Sequence, residues 1–178
     1  VSEFFEHNPP TIWFSDGSSL QGNRYIKLKQ DYPPYPIEKI EAWDWENVDL
    51  TKESQGFEKL ANSIQFRVIQ ELKGRQFSVI FDDDDNGESA DVVAIKYTDS
   101  ELYIELYHCK YSTGKQPGQR IKDLYEVCGQ AQKNNHWARQ STDLFTHLIK
   151  REPRRFKNNT YSRFESGTIE DLIMIREM

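Results

Sequence analysis

Apolar positions change their period along this chain, and each change marks an element. Phe57, Leu60, Ile64, Val68 and Leu72 recur every three or four residues. That spacing predicts a helix over residues 57–73, with Gly74 as its stop. The next apolar runs are short and rich in β-branched and aromatic residues: FSVIF (77–81), ADVVAIKY (90–97) and LYIELYHCKY (102–111). They predict three strands, the last two joined as a hairpin by the polar break 98–101. Helical spacing then returns. Ile121, Leu124, Tyr125, Cys128 and Ala131 form one stripe and predict an amphipathic helix over 120–137. Leu144, Phe145, Leu148 and Ile149 predict another over 142–152, ended by Pro153, and Thr168 caps a last short helix. The order helix–strand–strand–strand–helix predicts one α/β (α+β) core, a small mixed sheet flanked by helices, over residues 56–178.

Residues 1–55 read as a β-rich extension. Segments 11–14 and 24–29 flank a Gly-containing loop, as in a hairpin. The DYPPYP run (31–36) is extended, because three prolines exclude helix. Trp43 and Trp45 alternate with polar residues and predict another short strand, whose rings pack the extension onto the main domain or stack on bases or a partner.

Composition narrows the classes. A hydrophobic fraction of 37% is enough for a real core and excludes a disordered chain. No apolar run approaches the roughly 18–20 residues that cross a membrane. The start, VSEFFE, is no signal peptide and lacks an initiator Met. It reads as a piece cut from a longer polypeptide. Cys109 and Cys128 stand in apolar settings with no CxxC pair, so two buried free thiols in a reducing cytoplasm are expected. The net charge of −6 is unevenly spread. Residues 108–163 carry 12 Lys and Arg against 4 Asp and Glu, a balance of +8, and the remainder stands at −14. A local cationic face on an acidic protein suits phosphate binding.

Candidate chemistry gathers on the predicted hairpin. Asp91 opens one strand, and His108 and Lys110 lie near the end of the next, two positions apart and so on one face. A carboxylate, an imidazole and an ammonium at one sheet edge suit a divalent metal and a water beside a phosphodiester. The acidic turn 82–87 has Asn86-Gly87 as its positive-φ signal and reads as a solvated loop that could gather cations. There is no GxSxG elbow for a serine hydrolase and no Walker phosphate loop for an ATPase.

Taken in order, IQFRVIQELKGRQFSVI, GESADVVAI and YIELYHCKY resemble the core of the PD-(D/E)XK nuclease superfamily, with Mrr-type restriction endonucleases nearest. The resemblance covers residues 57–135 and implies a restriction-endonuclease-like fold. It implies Asp91 as the metal-binding aspartate and Lys110 as the lysine that orients the attacking water. Gln65 falls where some relatives carry a helix glutamate, and the Cys109 carbonyl is a further metal oxygen. The position two before the lysine departs from the pattern, being His108. Imidazole suits manganese or zinc better than magnesium, so His108 is a third ligand to a different ion, a phosphate contact, or a sign of lost catalysis. The expected function is metal-dependent hydrolysis of DNA, with RNA left open and magnesium or manganese as cofactor. Basic residues Lys115, Arg120, Lys122, Lys133, Lys150, Arg151, Arg154, Arg155 and Lys157 would track the backbone. The resemblance also implies a larger polypeptide with helicase or ATPase domains, as in restriction and phage-defence proteins, and allows a homodimer. The alternatives are a nuclease-fold module that binds nucleic acid without cutting it, or a protein-interaction domain docking through its Trp- and Pro-rich start.

Overall fold

The computed structural model describes residues 2–7, 9–14, 18–27, 36–98, 100–114, 116, 118, 120–134, 137, 141–158 and 161–178. The chain divides into two units, Val1–Trp43 and Asp44–Met178.

In the first unit a short helix, α1 (Ser2–His7), precedes an antiparallel meander of β1 (Thr11–Trp13), β2 (Ser19–Gln21) and β3 (Arg24–Ile26). The middle strand comes from the segment expected to be loop. Gly22 at φ +59° lets β2 turn tightly into β3. Ile12, Trp13, Phe14 and Tyr25 are exposed. A 3-10 turn, Ile37–Lys39, follows; all of DYPPYP but Pro36 lies outside the described residues. Trp43 and Trp45 do not form the expected strand.

The second unit begins at Asp44 and takes in residues 44–55, which the sequence pattern assigns to the extension. Backbone bonds fix them there: Asp49 N–H donates to Asn62, Ile64 N–H to Lys52, Gln65 N–H to Glu53 and Ser112 N–H to Leu50. Next comes α2 (Ile64–Lys73), later than the 57–73 expected. Ser63 caps it by accepting from Phe66 N–H, whereas Phe57 and Leu60 are exposed in the turns before it. The strands β4 (Val79–Asp82), β5 (Val92–Tyr97) and β6 (Leu102–Tyr107) follow, then α3 (Ile121–Lys133), α4 (Ser141–Asn158), β7 (Phe164–Ser166) and α5 (Ile169–Glu177). Helix α4 runs through Pro153 instead of ending there. Thr168 does cap α5, in a full capping box with Asp171.

The sheet order is β6-β5-β4-β7, and every pairing is antiparallel, so the sheet is not the mixed one expected. The class is α+β. Strands β4 and β5 are almost wholly buried because helices cover both faces. Val79, Phe81, Val93 and Ile95 pack with Leu144, Leu148, Leu172 and Ile175. By alternation Ile80, Val92 and Ala94 face the other side, where α2 meets β4 and β5. Among the described residues no helix is long and apolar enough to cross a membrane.

Candidate metal centre

Register decides where the site lies. Asp82 ends β4 opposite Val92, and Val92 in turn faces Tyr107 of β6. Asp91, just before β5, and His108, just after β6, therefore emerge side by side at one end of the sheet, next to Asp82. Strand β6 stops at Tyr107, so residues 108–111 are free of the ladder.

Asp91 is buried and held at both ends. Its Oδ2 accepts from Cys109 N–H at 2.9 Å and lies 3.5 Å from His108 Nδ1. Its backbone carbonyl accepts from Gln65 Nε2 at 3.1 Å. The far imidazole nitrogen of His108, Nε2, pairs with Asn134 Nδ2 at 2.6 Å. His108 Nδ1 is buried, has no hydrogen-bond partner, and points at the Asp91 carboxylate.

Gln65 is fully committed. Its Oε1 accepts from Gln55 N–H at 2.8 Å, and its Nε2 donates to Asp82 Oδ1 as well as to Asp91. Here, at the position where the resemblance implies a helix glutamate, it braces Asp82 and Asp91. Lys110 Nζ lies 3.3 Å from Glu53 Oε2 and 3.0 Å from Glu126 Oε2. Burial alone would lower its pKa, but the hydrogen bond to Glu126 and the charge of Glu53 outweigh it and raise the pKa. Lys110 is therefore a fixed cation. Glu53 also accepts Tyr111 N–H at 2.8 Å, which anchors the chain just past Lys110.

The carboxylates that converge are Asp84, Glu88 and Asp91, with one oxygen of each within 4.8 Å of the others. Burial pushes the Asp84 carboxyl up; the Ser54 hydroxyl it accepts pulls it down, and the charges of Asp82, Asp91 and Glu53 push it up further. Glu88 is raised first by burial, against a bond from Asp85 N–H, and then by Asp91, Asp84 and Asp83. Acidic groups crowded enough to resist ionisation are the electrostatic condition that a bound cation relieves. All three donors are hard oxygens, as magnesium and manganese prefer. This set of side chains does not include His108, which backs Asp91, and Cys109, expected to offer its carbonyl, contributes its N–H to Asp91.

Two buried arginines hold the acidic loop in shape. Arg151 donates to the carbonyls of Asp83, Asp85 and Asn86 and pairs with the Asp83 carboxylate. Arg163 donates to the carbonyls of Asp82 and Asp84. Asp83 also accepts from Ser89 N–H and Oγ. The turn signal at Asn86-Gly87 is realised, with Gly87 at φ +84°. The run that reads as a solvated loop is thus tied to the interior, and Asp82 and Asp83 are buried.

Arg151 is therefore no part of a nucleic-acid face. Arg120 is half-buried and donates to Ser112 Oγ and the Gln116 carbonyl, which stitches the preceding loop together. Lys122 and Lys150 are exposed. Lys115 and the side chains of Lys133, Arg154, Arg155 and Lys157 lie outside the described residues. Asp84, Glu88 and Glu53 were missed as site residues. Asp84 was visible only as a member of the acidic run, and nothing in the sequence marked Glu53.

No protein-family model matches this chain, and neither a curated protein nor a solved structure matches it.

Proposed function

We propose that the second unit is a divalent-cation-dependent phosphodiesterase acting on nucleic acid, with DNA as the first substrate to test. The observation that carries this reading is the convergence of Asp84, Glu88 and Asp91 at the sheet end that also bears His108 and Lys110. Asp84, Glu88 and Asp91 would hold one magnesium or manganese ion. When bound, such an ion polarises a phosphoryl oxygen and acidifies a coordinated water. Lys110, kept protonated by its two glutamates, stabilises negative charge developing on the phosphate. His108, packed against Asp91 and bonded to Asn134, fixes the direction in which that carboxylate points. Gln65 and Gln55 neutralise none of the charge but hold Asp82 and Asp91 in register.

The test is cleavage of plasmid and oligonucleotide DNA and RNA with magnesium and with manganese, comparing the parent chain with Asp91→Ala and Lys110→Ala. Cation-dependent cleavage that both substitutions abolish supports the reading. Equal activity in all three proteins overturns it.

One observation favours a second reading. Lys110 is engaged by two carboxylates at once, which leaves its charge largely neutralised toward a phosphate. A module that binds nucleic acid and no longer cuts it would behave so. Binding that is indifferent to divalent cations, with no cleavage under any condition, would establish that alternative.

A further inference from the structure

The sequence predicts that α3 turns its stripe of Ile121, Leu124, Tyr125 and Cys128 inward. The structure does the reverse. Ile121 is 71% exposed, Leu124 63% and Tyr125 62%. The partly covered positions are Asp123, Val127, Gln130 and, just past the helix, Asn134, which recur every three or four residues and form the inward stripe. A helix so oriented forgoes apolar burial and presents amides to what lies beneath it.

Beneath it is a cleft of about 620 Å³. One wall is the acidic loop, residues 84–89, including the Asp84 and Glu88 carboxylates. The opposite wall is Gln130, Asn134 and Trp137, with His108 between them. Gln130 Oε1 is buried and accepts no hydrogen bond. The Trp137 ring packs against His147, with centroids 5.4 Å apart and planes tilted by 44°.

We propose that this cleft receives a single unpaired nucleotide, so that the substrate is a single-stranded or locally unpaired nucleic acid and not an intact duplex. The inference rests on the cation reading above, because a phosphate enters an acidic cleft only when a cation offsets its charge. A phosphate held at Asp84 and Glu88 leaves its own sugar and base directed along the cleft. The volume is that of a small-molecule pocket and suits one nucleotide. A base in a duplex shows only its edge in a groove and cannot enter such a space without leaving the stack. Gln130 lines the cleft, and its amide, turned toward the ligand, can donate to and accept from a base edge; Trp137 lines the same wall with an aromatic ring. These are the groups by which proteins read unstacked bases.

The experiment is equilibrium binding of the full chain to oligonucleotides carrying 2-aminopurine at one internal position, in calcium and in EDTA. Single strands, duplexes and duplexes with one bulged base are compared, each as DNA and RNA. Terbium luminescence independently reports cation binding. The expected result is calcium-dependent binding of single strands and bulges at least about tenfold tighter than of duplex, with a change in 2-aminopurine emission. Competition by nucleoside monophosphates is expected too. Gln130→Ala should weaken single-strand binding by about fivefold and leave terbium binding unchanged. Duplex binding as tight as single-strand binding, no binding of either, or an unaltered Gln130→Ala would overturn the proposal. Cation binding with equal cleavage of duplex and single strand would remove the cleft's role and leave the phosphodiesterase reading intact. Tight single-strand binding without any cleavage would do the opposite.

Discussion

The two walls of the cleft are built on opposite physical terms. The acidic loop, residues 82–89, is charged yet tied down: two buried arginines occupy its carbonyls, and Asp82 and Asp83 are sealed from solvent. Helix α3 has the better helical pattern, yet no residue of it with a described side chain is buried. A wall of unfavourable composition is thus the buried one, and a wall of favourable composition is the exposed one. Hydrophobic periodicity says that a helix can bury a face, but whether it does depends on what the neighbouring surface offers. Here the surface offered is carboxylates and a histidine, and α3 answers with amides. The loop holds the carboxylates in place, while α3 lends the cleft its amide side chains.

The largest effect expected lies in the loop. Arg151→Met leaves Asp83 buried without its counter-ion and strips donors from three carbonyls. A loss of about 3–5 kcal/mol in unfolding free energy is expected by urea titration. Lys122→Met on α3, whose side chain is 75% exposed, should change stability by less than about 0.5 kcal/mol. Similar losses from both would erase the contrast between the walls.

Function gives the next effect. Asp91→Asn keeps the shape but removes a ligand charge, and it should weaken cation binding by about 100-fold or more, read by terbium luminescence. An unchanged affinity would move the cation site away from Asp91.

The thiols sharpen the comparison further. Cys128 on α3 is exposed, while burial, then the charges of Asp91, Glu53, Asp84 and Asp82, push the Cys109 thiol well up. One thiol should react with a disulfide reagent in the native protein, and the second only after unfolding. Prompt reaction of both would mean that the sheet end is open.

A subtler effect concerns pH. Asp84 and Glu88 hold their protons above the ordinary values of 3.8 and 4.5. In the cation-free protein their stabilising contribution is full below those values and is lost as pH rises through the raised ones. Glu165 has the opposite sign: burial would raise it, but Lys59, Gln55 and Lys73 lower it, so its contribution is present above 4.5 and lost on acidification. Asp84→Asn should therefore raise the cation-free Tm at neutral pH, with the gain shrinking toward acid. It should also diminish the rise in Tm that magnesium or manganese produces. A neutral-pH Tm that falls in the cation-free variant would show that the loop carboxylates are not in strain with one another.

The smallest effect is expected from Glu126→Gln. The pair with Lys110 is partly exposed, and its removal should cost less than about 1 kcal/mol. If the second glutamate merely restrains Lys110, the same variant should increase phosphate-dependent activity.

The sequence alone determined α2, three of the four strands of the main sheet, and their order. Short runs rich in β-branched and aromatic residues became β4, β5 and β6, the spacing of Ile64, Val68 and Leu72 became α2, and Asp91 and His108 were already adjacent once the hairpin was drawn. Those features follow from local backbone preference and alternation, which each segment carries within itself. Tertiary structure alone decided the rest. Asp84 and Glu88 joined Asp91 because Arg151 and Arg163, far along the chain, fold the acidic loop inward. Gln65 became a brace because residues 54 and 55 cross it. Helix α3 turned its amides to the cleft, and β7 joined the sheet beside β4. In each case the outcome rests on which distant group satisfies a buried charge or carbonyl, and that choice is written in no single stretch of the chain.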